Sequence, residues 1–384
     1  MLRIAFFDSA PLLFGGGYER FIVEAAKFGA LEGHRTTIVT PPHSIAMAPY
    51  LITSMGRLQK QTGPDEISSK LTTVPVETKQ TTRLRRLFRE VDLVYAKNEP
   101  QDLAWMAMAL RGSTVPLVVG FHSAVMREGA TSSLRNRIYR SRTYARLLKR
   151  AHTVHVLNPR HASALSALED HEVAVIPNGV DTNRFHDSGR TIWDSSRSLS
   201  VLFVGRLDLQ KGIDIFCDVV ERVNGSYGAD RMAFSLVGDG PMRNLVQRTV
   251  EKWPNVSWLG HKANMGPVYR RHDVLVAPSR WETFHLVPAE ALSCGLPAIL
   301  SDIPESAYFG RSTAVFREPC TADSVAVTLM KLSDRWNEQP DEYADLVKEA
   351  RQFAIRTLDG RAAHRRLYEV FDRAITVPNQ RRAQ

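Results

Sequence analysis

The chain has 384 residues, of which 43% are hydrophobic, and its formal net charge is +9. This length fits two domains of ordinary size, and this hydrophobic fraction excludes a disordered chain. The positive charge favours an anionic partner, such as a nucleotide, a nucleic acid or an acidic lipid surface, without choosing among them. Three widely spaced cysteines argue against a disulfide framework or a zinc site and fit a reduced cytoplasmic protein: Cys217, Cys294 and Cys320.

Short apolar runs alternate with longer helical patterns, which predicts βαβ units and mainly parallel sheets. The first half has strand candidates at 3–7, 37–40, 72–76, 93–96, 117–121, 153–157 and 173–176. The second half has candidates at 200–204, 233–237, 256–259, 274–277 and 298–300. The first residues of the sequence are predicted to form a short strand, from residue 3, and not a signal peptide. No apolar run approaches the ~20 residues of a membrane helix.

Turn-rich residues at 177–185 and a polar run at 186–198 mark the predicted boundary between two domains. We expect domains over 1–180 and 181–360, followed by a helix and a basic tail over 361–384.

A glycine-rich loop, Phe14-Gly-Gly-Gly-Tyr-Glu-Arg20, follows the first predicted strand. It lacks the G-x-G-x-x-G spacing of dinucleotide-binding proteins, but the amides of Gly16 and Gly17 could approach a phosphate or a sugar. His122 is predicted at the carboxyl end of another strand, where open α/β sheets bind ligands. A lone histidine is more often structural, and the position at a strand end favours a functional role.

The segment Val204-Gly-Arg-Leu-Asp-Leu-Gln-Lys-Gly-Ile213 connects a predicted strand to a predicted helix. Arg206 and Lys211 flank a loop whose amides face the helix start, which suits a diphosphate. A solvated turn with surface cations is the alternative. In the next such connection, Gly238 and Gly240 permit either close approach of a ligand or a tight turn.

Two carboxylates eight residues apart, Glu282 and Glu290, follow the predicted strand at 274–277. Glu282 is expected on a loop and Glu290 near the start of a short helix that ends at Gly295. Buried carboxylates need partners, and sugar or ribose hydroxyls can serve. Either residue alone is equally typical of a solvated loop or of a helix start.

In their order and spacing, these segments resemble the retaining nucleotide-sugar glycosyltransferases of glycosyltransferase family 4, which have the GT-B fold. The motifs are Gly-Gly-Tyr-Glu (16–19), His122, Ile-Pro-Asn-Gly-Val-Asp (176–181), Gly-Arg-Leu-x-x-x-Lys-Gly (205–212), Val-Gly-Asp-Gly-Pro (237–241), Pro-Ser (278–279) and Glu-x7-Glu (282–290). The resemblance implies an α/β fold with two Rossmann-like, doubly wound domains that face a central cleft. It also implies a C-terminal helix that crosses back to the first domain.

The resemblance implies that 1–180 binds the acceptor and 181–360 binds the nucleotide sugar. The implied catalytic residues are His122, Arg206, Lys211 and Glu282. The implied donor-binding residues are Gly16, Gly17, Gly205, Gly238, Phe284, His285, Leu286 and Glu290. The two cations would neutralise the diphosphate, Glu282 and His122 would contact the transferred sugar, and Glu290 would bind the ribose hydroxyls.

Two positions depart from the family pattern. His285 stands where the family usually has glycine, and Ser123 follows His122 where many relatives carry aspartate or glycine. A side chain at 285 could narrow the donor pocket or add a hydrogen bond of its own.

The implied activity is a retaining, metal-independent hexosyltransferase that uses a UDP- or GDP-linked sugar and needs no cofactor. The acceptor would be a saccharide or a lipid-linked molecule, in cell-envelope polysaccharide or glycolipid synthesis. We expect a cytoplasmic protein that can lie peripherally on the cytoplasmic membrane face.

Two basic segments carry the membrane hypothesis. The segment 134–150 has seven cations and no acidic residue, and 82–89 is a shorter basic cluster. Helices of this kind, with Leu134, Ile138, Ala145 and Leu148 as the apolar stripe of the first, can lie on anionic membranes. A core-packed helix with a solvated basic face is the equal alternative.

Other functions are less compatible with the sequence. A basic nucleic-acid-binding protein is suggested by charge alone, because aromatic residues interleaved on a basic face and a known binding module are both lacking. A sugar-nucleotide epimerase can have the same fold, but the Glu-x7-Glu and Gly-Arg-Leu-x-x-x-Lys-Gly motifs argue against it. An NAD dehydrogenase would carry the dinucleotide fingerprint.

Overall fold

The computed structural model describes residues 1–9, 17–41, 70–75, 81–122, 134–158, 171–188 and 197–377. The chain divides into two compact units, here called unit 1 and unit 2. Unit 1 comprises Met1–Pro177 with Arg361–Gln384, and unit 2 comprises Asn178–Gly360.

Unit 1 is built on a parallel sheet with the strand order β3-β2-β1-β4-β5-β6-β7. Its strands are β1 Arg3–Phe7, β2 Arg35–Thr40, β3 Leu71–Pro75, β4 Leu93–Lys97, β5 Leu117–Phe121, β6 Thr153–Val156 and β7 Glu172–Val175. Its helices are α1 Gly17–Leu31, α2 Thr81–Arg89, α3 Pro100–Ala109, α4 Leu134–Tyr139, α5 Arg142–Leu148 and, from the C-terminal end of the chain, α12 Gly360–Thr376.

Helices cover both faces of this sheet, which explains why its strands are apolar throughout. On one face, α1 packs with α12 against β1, and the Tyr368 hydroxyl donates to the Ala25 carbonyl at 3.1 Å. On the other face lie α2, α3 and α5, which bury residues such as Phe88, Met106 and Leu148. The C-terminal helix therefore crosses back to the first domain, as predicted.

Unit 2 has a parallel sheet with the order β10-β9-β8-β11-β12-β13. Its strands are β8 Leu199–Val204, β9 Met232–Val237, β10 Val256–Trp258, β11 Val274–Ala277, β12 Ala298–Ser301 and β13 Val315–Glu318. Its helices are α6 Ile213–Tyr227, α7 Arg243–Lys252, α8 Gly266–Arg270, α9 Leu286–Ser293, α10 Ala322–Glu338 and α11 Pro340–Thr357, with a 3-10 helix at Pro304–Arg311.

Two clusters of buried apolar side chains cover the two faces of the unit 2 sheet. The two segments in which the chain enters and leaves this unit are paired. Val180 forms an isolated parallel bridge with Asp359, and the Thr182 hydroxyl donates to Asp359 at 2.9 Å.

Two details of the sequence-based prediction are wrong. The edge strand β13 was not predicted, because its sequence Val-Phe-Arg-Glu has only two apolar residues and half of it is polar. The basic segment 134–150 is not one helix, because Ser141 caps a new helix by accepting from the amide of Tyr144 at 3.1 Å. Its buried residues include Tyr139 and Tyr144, whereas Ile138 is exposed.

No helix among the described residues has the length and apolar character needed to cross a membrane.

Candidate functional site

In unit 2, the loop after β8 contacts the loop after β11. Gly212 has a left-handed φ of 70°, and a Cβ atom there would lie 2.0 Å from the Pro278 carbonyl oxygen. The amide of Arg280 donates to the Gln210 carbonyl at 2.8 Å, and the Gln210 side chain donates to the Trp281 carbonyl at 3.3 Å. These contacts join the predicted diphosphate turn to the loop that carries Glu282.

An ion pair also holds the loop after β8 and the loop after β11 together. The guanidinium of Arg280 binds both carboxylate oxygens of Asp214, at 2.8 and 2.6 Å, and it also donates to the Leu209 carbonyl at 2.7 Å. Asp214 lies in the first turn of α6, where the helix dipole favours a carboxylate. A two-pronged arginine–carboxylate pair constrains orientation as well as distance.

Lys211 and Glu282 meet at this junction. The ammonium group of Lys211 donates to Oε1 of Glu282 in a short ion pair, and the Ser279 hydroxyl donates to the same oxygen at 2.9 Å. Glu282 is only 8% exposed. Two residues that the sequence placed in one site are therefore direct partners, and Ser279 is a third member.

Glu282 is held in its ionised form. Burial acts to raise the pKa of this carboxyl, but the charge of Lys211 and the interactions with His285 and Ser279 outweigh burial, so the pKa lies below its ordinary value. An ionised carboxylate only accepts hydrogen bonds. Since Oε1 already accepts two, Oε2 is the oxygen with capacity for a hydroxyl donor.

Arg206 lies on the exposed side of the same turn, with 61% of its side chain accessible. Its guanidinium pairs with Asp208 and donates to the Gln210 side chain at 3.1 Å. Asp208 also accepts from the amide of Lys211 at 3.0 Å. The turn thus presents an accessible cation beside a partly covered one at the start of α6.

The glycines of this region are required by the contact between two loops. Gly238 has a φ of 138°, and a Cβ atom there would lie 1.8 Å from the Gly205 carbonyl oxygen. Gly205 donates to the Val237 carbonyl at 3.0 Å. Of the two sequence-based explanations of Gly238, the structure favours a backbone packing constraint, which leaves its role in donor binding a prediction.

Glu290 lies in the middle of the eight-residue helix α9 rather than near its start, which corrects the expected position. It is 5% exposed, and the hydroxyl of Tyr269 donates to its Oε2 at 2.8 Å. Tyr269, on α8, has no motif of its own in the sequence, so only the fold reveals this contact.

Phe284, His285 and Leu286 lead into α9. The Leu286 amide donates to the Phe284 carbonyl at 3.0 Å, so this amide is already engaged. His285 is 2% exposed, and in the described part of the chain its Nε2 atom has no hydrogen-bond partner. Burial lowers the pKa of His285 to about 4, although Glu282 acts in the opposite direction, so the ring is neutral at pH 7.

In unit 1, His122 lies directly after β5, at the carboxyl end of the strand, as the sequence predicts. Its ring packs 4.1 Å from Phe21 and 5.0 Å from Tyr18, measured between ring centroids. Gly17 is exposed at the first position of α1. Gly16 and Ser123 lie outside the described residues.

The structure therefore brings Lys211, Glu282 and the Arg206 turn together within unit 2. Sequence analysis did not assign roles to Ser279, Tyr269, Arg280 and Asp214. Ser279 belongs to the Pro-Ser motif at 278–279, which carried no assigned role. For Arg280 and Asp214 the sequence signal was their opposite charge, and 66 residues separate them.

Two family models match the chain. The model described as glycosyltransferase family 4 matches residues 15–184, and the model described as glycosyl transferases group 1 matches residues 198–334.

Among curated proteins, one relative is the UDP-Gal:alpha-D-GlcNAc-diphosphoundecaprenol alpha-1,3-galactosyltransferase of Escherichia coli. It is 32% identical over 34% of this chain and 37% of its own length. An uncharacterized 41.2 kDa protein of Klebsiella pneumoniae is 32% identical over 27% of this chain and 28% of its own length. The phosphatidyl-myo-inositol mannosyltransferase of Mycobacterium leprae is 23% identical over 75% of both chains. The chain thus matches about a third of the length of the first two relatives.

Solved structures show the fold. A glycosyltransferase from Rickettsia africae superposes with a TM-score of 0.76 at 15% identity, covering 98% of this chain and 99% of that one. The Anabaena protein HepE, in a crystal structure with UDP and glucose, superposes with a TM-score of 0.73 at 19% identity, covering 97% and 100%. Both confirm the predicted pair of Rossmann-like domains of the GT-B type, and the predicted cleft between them stays a prediction.

Proposed function

Because the chain is a glycosyltransferase family 4-like protein with the GT-B fold, we propose that it transfers a hexose from a UDP- or GDP-linked donor to an acceptor hydroxyl. We further propose that the transfer retains anomeric configuration and needs no metal ion. The observation that carries the proposal is the junction in unit 2, where the Arg206–Lys211 turn is fixed against the loop of Glu282.

The turn supplies what a leaving diphosphate requires. Arg206 is an accessible cation, and the ammonium of Lys211 has three N–H bonds, of which one is used for Glu282. Lys211 lies two residues before the 15-residue helix α6, whose dipole and first-turn amides also favour an anion, and Arg206 contacts Asp208 and Gln210 of the turn that leads into it. Fixed cations and dipoles of this kind stabilise the charge that develops as the glycosidic C–O bond breaks.

The two carboxylates supply acceptors for hydroxyl groups. In this proposal Glu282 binds the transferred sugar through Oε2, and Glu290 binds the ribose. His285 lies beside Glu282 and, as a neutral ring with a buried nitrogen, limits the space and offers one hydrogen bond to the donor. His285→Gly is therefore expected to broaden the range of sugars accepted, which competition between several nucleotide sugars measures.

Glu282 is not assigned as a covalent nucleophile. Its carboxylate already accepts hydrogen bonds from Lys211 and Ser279, and this pairing reduces its nucleophilicity. We propose instead front-face attack, in which the acceptor oxygen bonds to the anomeric carbon as the C–O bond to the diphosphate breaks. The acceptor proton passes to an oxygen of the departing diphosphate. Trapping of a glycosyl–Glu282 adduct would contradict this step.

The anomeric outcome is tested on the product. Proton NMR of the first product formed should show the same anomeric configuration as the donor, and activity should persist in EDTA. Inversion of configuration would overturn the retaining assignment. Loss of activity in EDTA that added magnesium restores would overturn the metal-independent assignment.

The acceptor is proposed to be lipid-linked. The names of the E. coli and M. leprae relatives state a diphosphoundecaprenol-linked and a phosphatidylinositol acceptor, respectively. In unit 1, α2 and α5 bury Leu84, Phe88 and Leu148 and turn basic side chains to solvent. The exposed arginines of α2, α4 and α5 include Arg83, Arg86, Arg137, Arg142 and Arg146. They would attract an anionic membrane surface.

Flotation with vesicles tests this surface. We expect binding to vesicles with anionic lipid at low salt, and its loss in a variant with Arg137, Arg142 and Arg146 changed to glutamine. The matched control removes the same charge from exposed residues of unit 2: Arg248, Lys262 and Lys331. Equal loss in both variants would show a general charge effect and overturn the proposed surface.

A thermal-shift screen tests the donor assignment. A ligand at 100 times its Kd stabilises a protein by about 2.7 kcal/mol, so UDP or GDP and the matching nucleotide sugar should raise the Tm, with ADP as a third nucleotide. No stabilisation by any of them, together with steeply salt-dependent binding of DNA or RNA, would favour the nucleic-acid-binding alternative.

A further inference from the structure

A chain of hydrogen bonds runs across three neighbouring strands of unit 1 and ends at His122. The hydroxyl of Tyr95, on β4, lies 2.7 Å from Nε2 of His122 and 2.8 Å from Nδ1 of His155, on β6. The other ring nitrogen of His155, Nε2, lies 2.8 Å from the Ile176 carbonyl oxygen. The intervening strand β5 permits this because a Cβ atom at Gly120 would lie 1.8 Å from the Tyr95 hydroxyl.

The carbonyl end fixes the direction of every bond in the chain. The Ile176 oxygen can only accept, so Nε2 of His155 carries a hydrogen. Burial lowers the pKa of His155 to about 4, so this ring is neutral at pH 7 and its Nδ1 atom is an acceptor. The Tyr95 hydroxyl must then donate to His155, and burial also raises the pKa of Tyr95, so the hydroxyl keeps its proton.

The hydrogen bond between Tyr95 and His122 also has a defined donor, because Tyr95 has only one hydroxyl hydrogen. Since that hydrogen is donated to His155, the Tyr95 oxygen accepts from Nε2 of His122. The His122 ring is also packed between Phe21 and Tyr18, with centroid distances of 4.1 and 5.0 Å, which limits its rotation. Its hydrogen position and its orientation are therefore both determined by neighbours.

We propose that Tyr95 and His155 are positioning residues that hold His122 as the Nε2–H tautomer, so that Nδ1 carries the lone pair of the neutral ring. Under the proposed function, His122 contacts the saccharide substrate as this tautomer. The second statement rests on the proposed function, whereas the tautomer does not. Any proton that His122 gains is added at Nδ1, because Nε2 is already protonated.

The tautomer is measured directly by NMR. In protein labelled with 15N-histidine, long-range proton–nitrogen correlations distinguish the Nε2–H form from the Nδ1–H form, and a His122→Gln spectrum assigns the signal. We expect His122 to be Nε2–H in the wild-type protein without any ligand. A wild-type His122 in the Nδ1–H form would overturn the proposal.

Two variants test the cause. Tyr95→Phe removes only the hydroxyl, and we expect a mixture of His122 tautomers and a roughly ten-fold lower kcat, the size of one hydrogen bond. The control is Tyr368→Phe, which removes another buried hydroxyl of unit 1, one that donates to the Ala25 carbonyl. In the control the tautomer and kcat should stay unchanged. An unchanged tautomer in Tyr95→Phe would overturn the proposal.

Variants of His155 distinguish the effect of hydrogen-bond direction on the His122 tautomer from the effect of side-chain packing. His155→Gln keeps one donor for Ile176 and one acceptor for Tyr95, so the Nε2–H form of His122 should be preserved. His155→Leu removes the acceptor, so the Tyr95 hydrogen becomes available to Nε2 of His122, and the tautomer should shift to Nδ1–H. Equal spectra for both variants would contradict the chain of bonds.

The failure of this inference differs from the failure of the proposed function. If the wild-type protein transfers no sugar from any nucleotide donor, the function is overturned while the spectra still test the tautomer. If the wild-type protein is active and the spectra of Tyr95→Phe match it, only the positioning role is overturned.

Discussion

The two units share one strand order over six strands. They differ in how the polar residues near the carboxyl ends of these strands are paired. In unit 2, two ion pairs connect the loops after β8 and β11: Lys211–Glu282 and Arg280–Asp214. Unit 1 uses a neutral chain of hydrogen bonds through Tyr95, His122 and His155. Both sites sit at the carboxyl ends of parallel strands, where such sheets bind ligands.

Under the proposed function, this difference corresponds to different roles of the two units. In unit 2 the buried carboxylate of Glu282 is kept ionised because Lys211, His285 and Ser279 accompany it. Such a site can exchange partners with a diphosphate. Under the proposed function, the chain in unit 1 suits ligands without charge, such as sugar hydroxyls, because its groups pair with one another and carry no net charge.

The largest expected effect is on turnover when the cations of unit 2 are removed. Arg206→Ala and Lys211→Met should each lower kcat by about 10²–10³-fold, as the loss of one preformed electrostatic contact does in other enzymes. Arg222→Ala, which removes an exposed cation paired with Asp323, is the control. Near-normal kcat in both site variants would contradict the assignment of the charged site to unit 2.

The two cation variants should differ in stability. Arg206 is exposed, so its loss should leave the free energy of unfolding nearly unchanged. Loss of Lys211 leaves Glu282 buried without its cation, which typically costs about 3–5 kcal/mol. The double variant Lys211→Met/Glu282→Gln should recover part of that loss in urea unfolding. Additive effects would show that the pair is not coupled.

A smaller effect tests the junction of the two loops in unit 2. Gly212 and Gly260 both have left-handed φ angles, 70° and 66°, but only Gly212 has a neighbour where a Cβ would lie. Gly260→Ala should therefore cost about 1–2 kcal/mol from backbone strain alone. Gly212→Ala should cost more, because the Pro278 carbonyl must move. Equal losses in urea unfolding would mean that the loops are not held together here.

The response to mild acid should also separate the units. His285 has a folded-state pKa of about 4 against an ordinary 6.5, so the unfolded chain binds its proton first and the stability of unit 2 falls as pH drops through this window. The difference corresponds to about 3 kcal/mol. The lowered pKa of Glu282 acts in the same direction, because its stabilising contribution is lost as pH falls toward that pKa.

In unit 1 two groups oppose each other. His155, with a pKa of about 4, lowers stability as pH falls, whereas burial raises the pKa of Asp102 to about 6, so this carboxyl raises stability as pH falls. Urea unfolding followed by hydrogen-exchange pulses at one fixed pH reads the two units separately. We expect a steeper loss in unit 2 between pH 6.5 and 4.5, and a flatter profile for unit 2 in His285→Gly. Equal slopes would contradict this account.

Sequence reasoning located the fold and most of the strands because buried parallel strands are continuously apolar. It missed β13, where half of the residues are polar. The family resemblance implied that Lys211 and Glu282 belong to one site, but it did not show their direct ion pair, which depends on the contact between Gly212 and Pro278. The hydrogen bonds from Tyr95 to His122 and His155 could not be predicted from the sequence either, because these residues meet only when β4, β5 and β6 pair in the sheet.

The most direct test of the central claim is calorimetric titration of UDP and GDP into the wild-type protein, Arg206→Ala and the control Arg222→Ala. The Arg206–Lys211 turn is predicted to bind the diphosphate, so Arg206→Ala should weaken the preferred nucleotide by about ten-fold or more, while the control binds as the wild type does. Identical affinities in all three proteins would contradict the assignment of this turn.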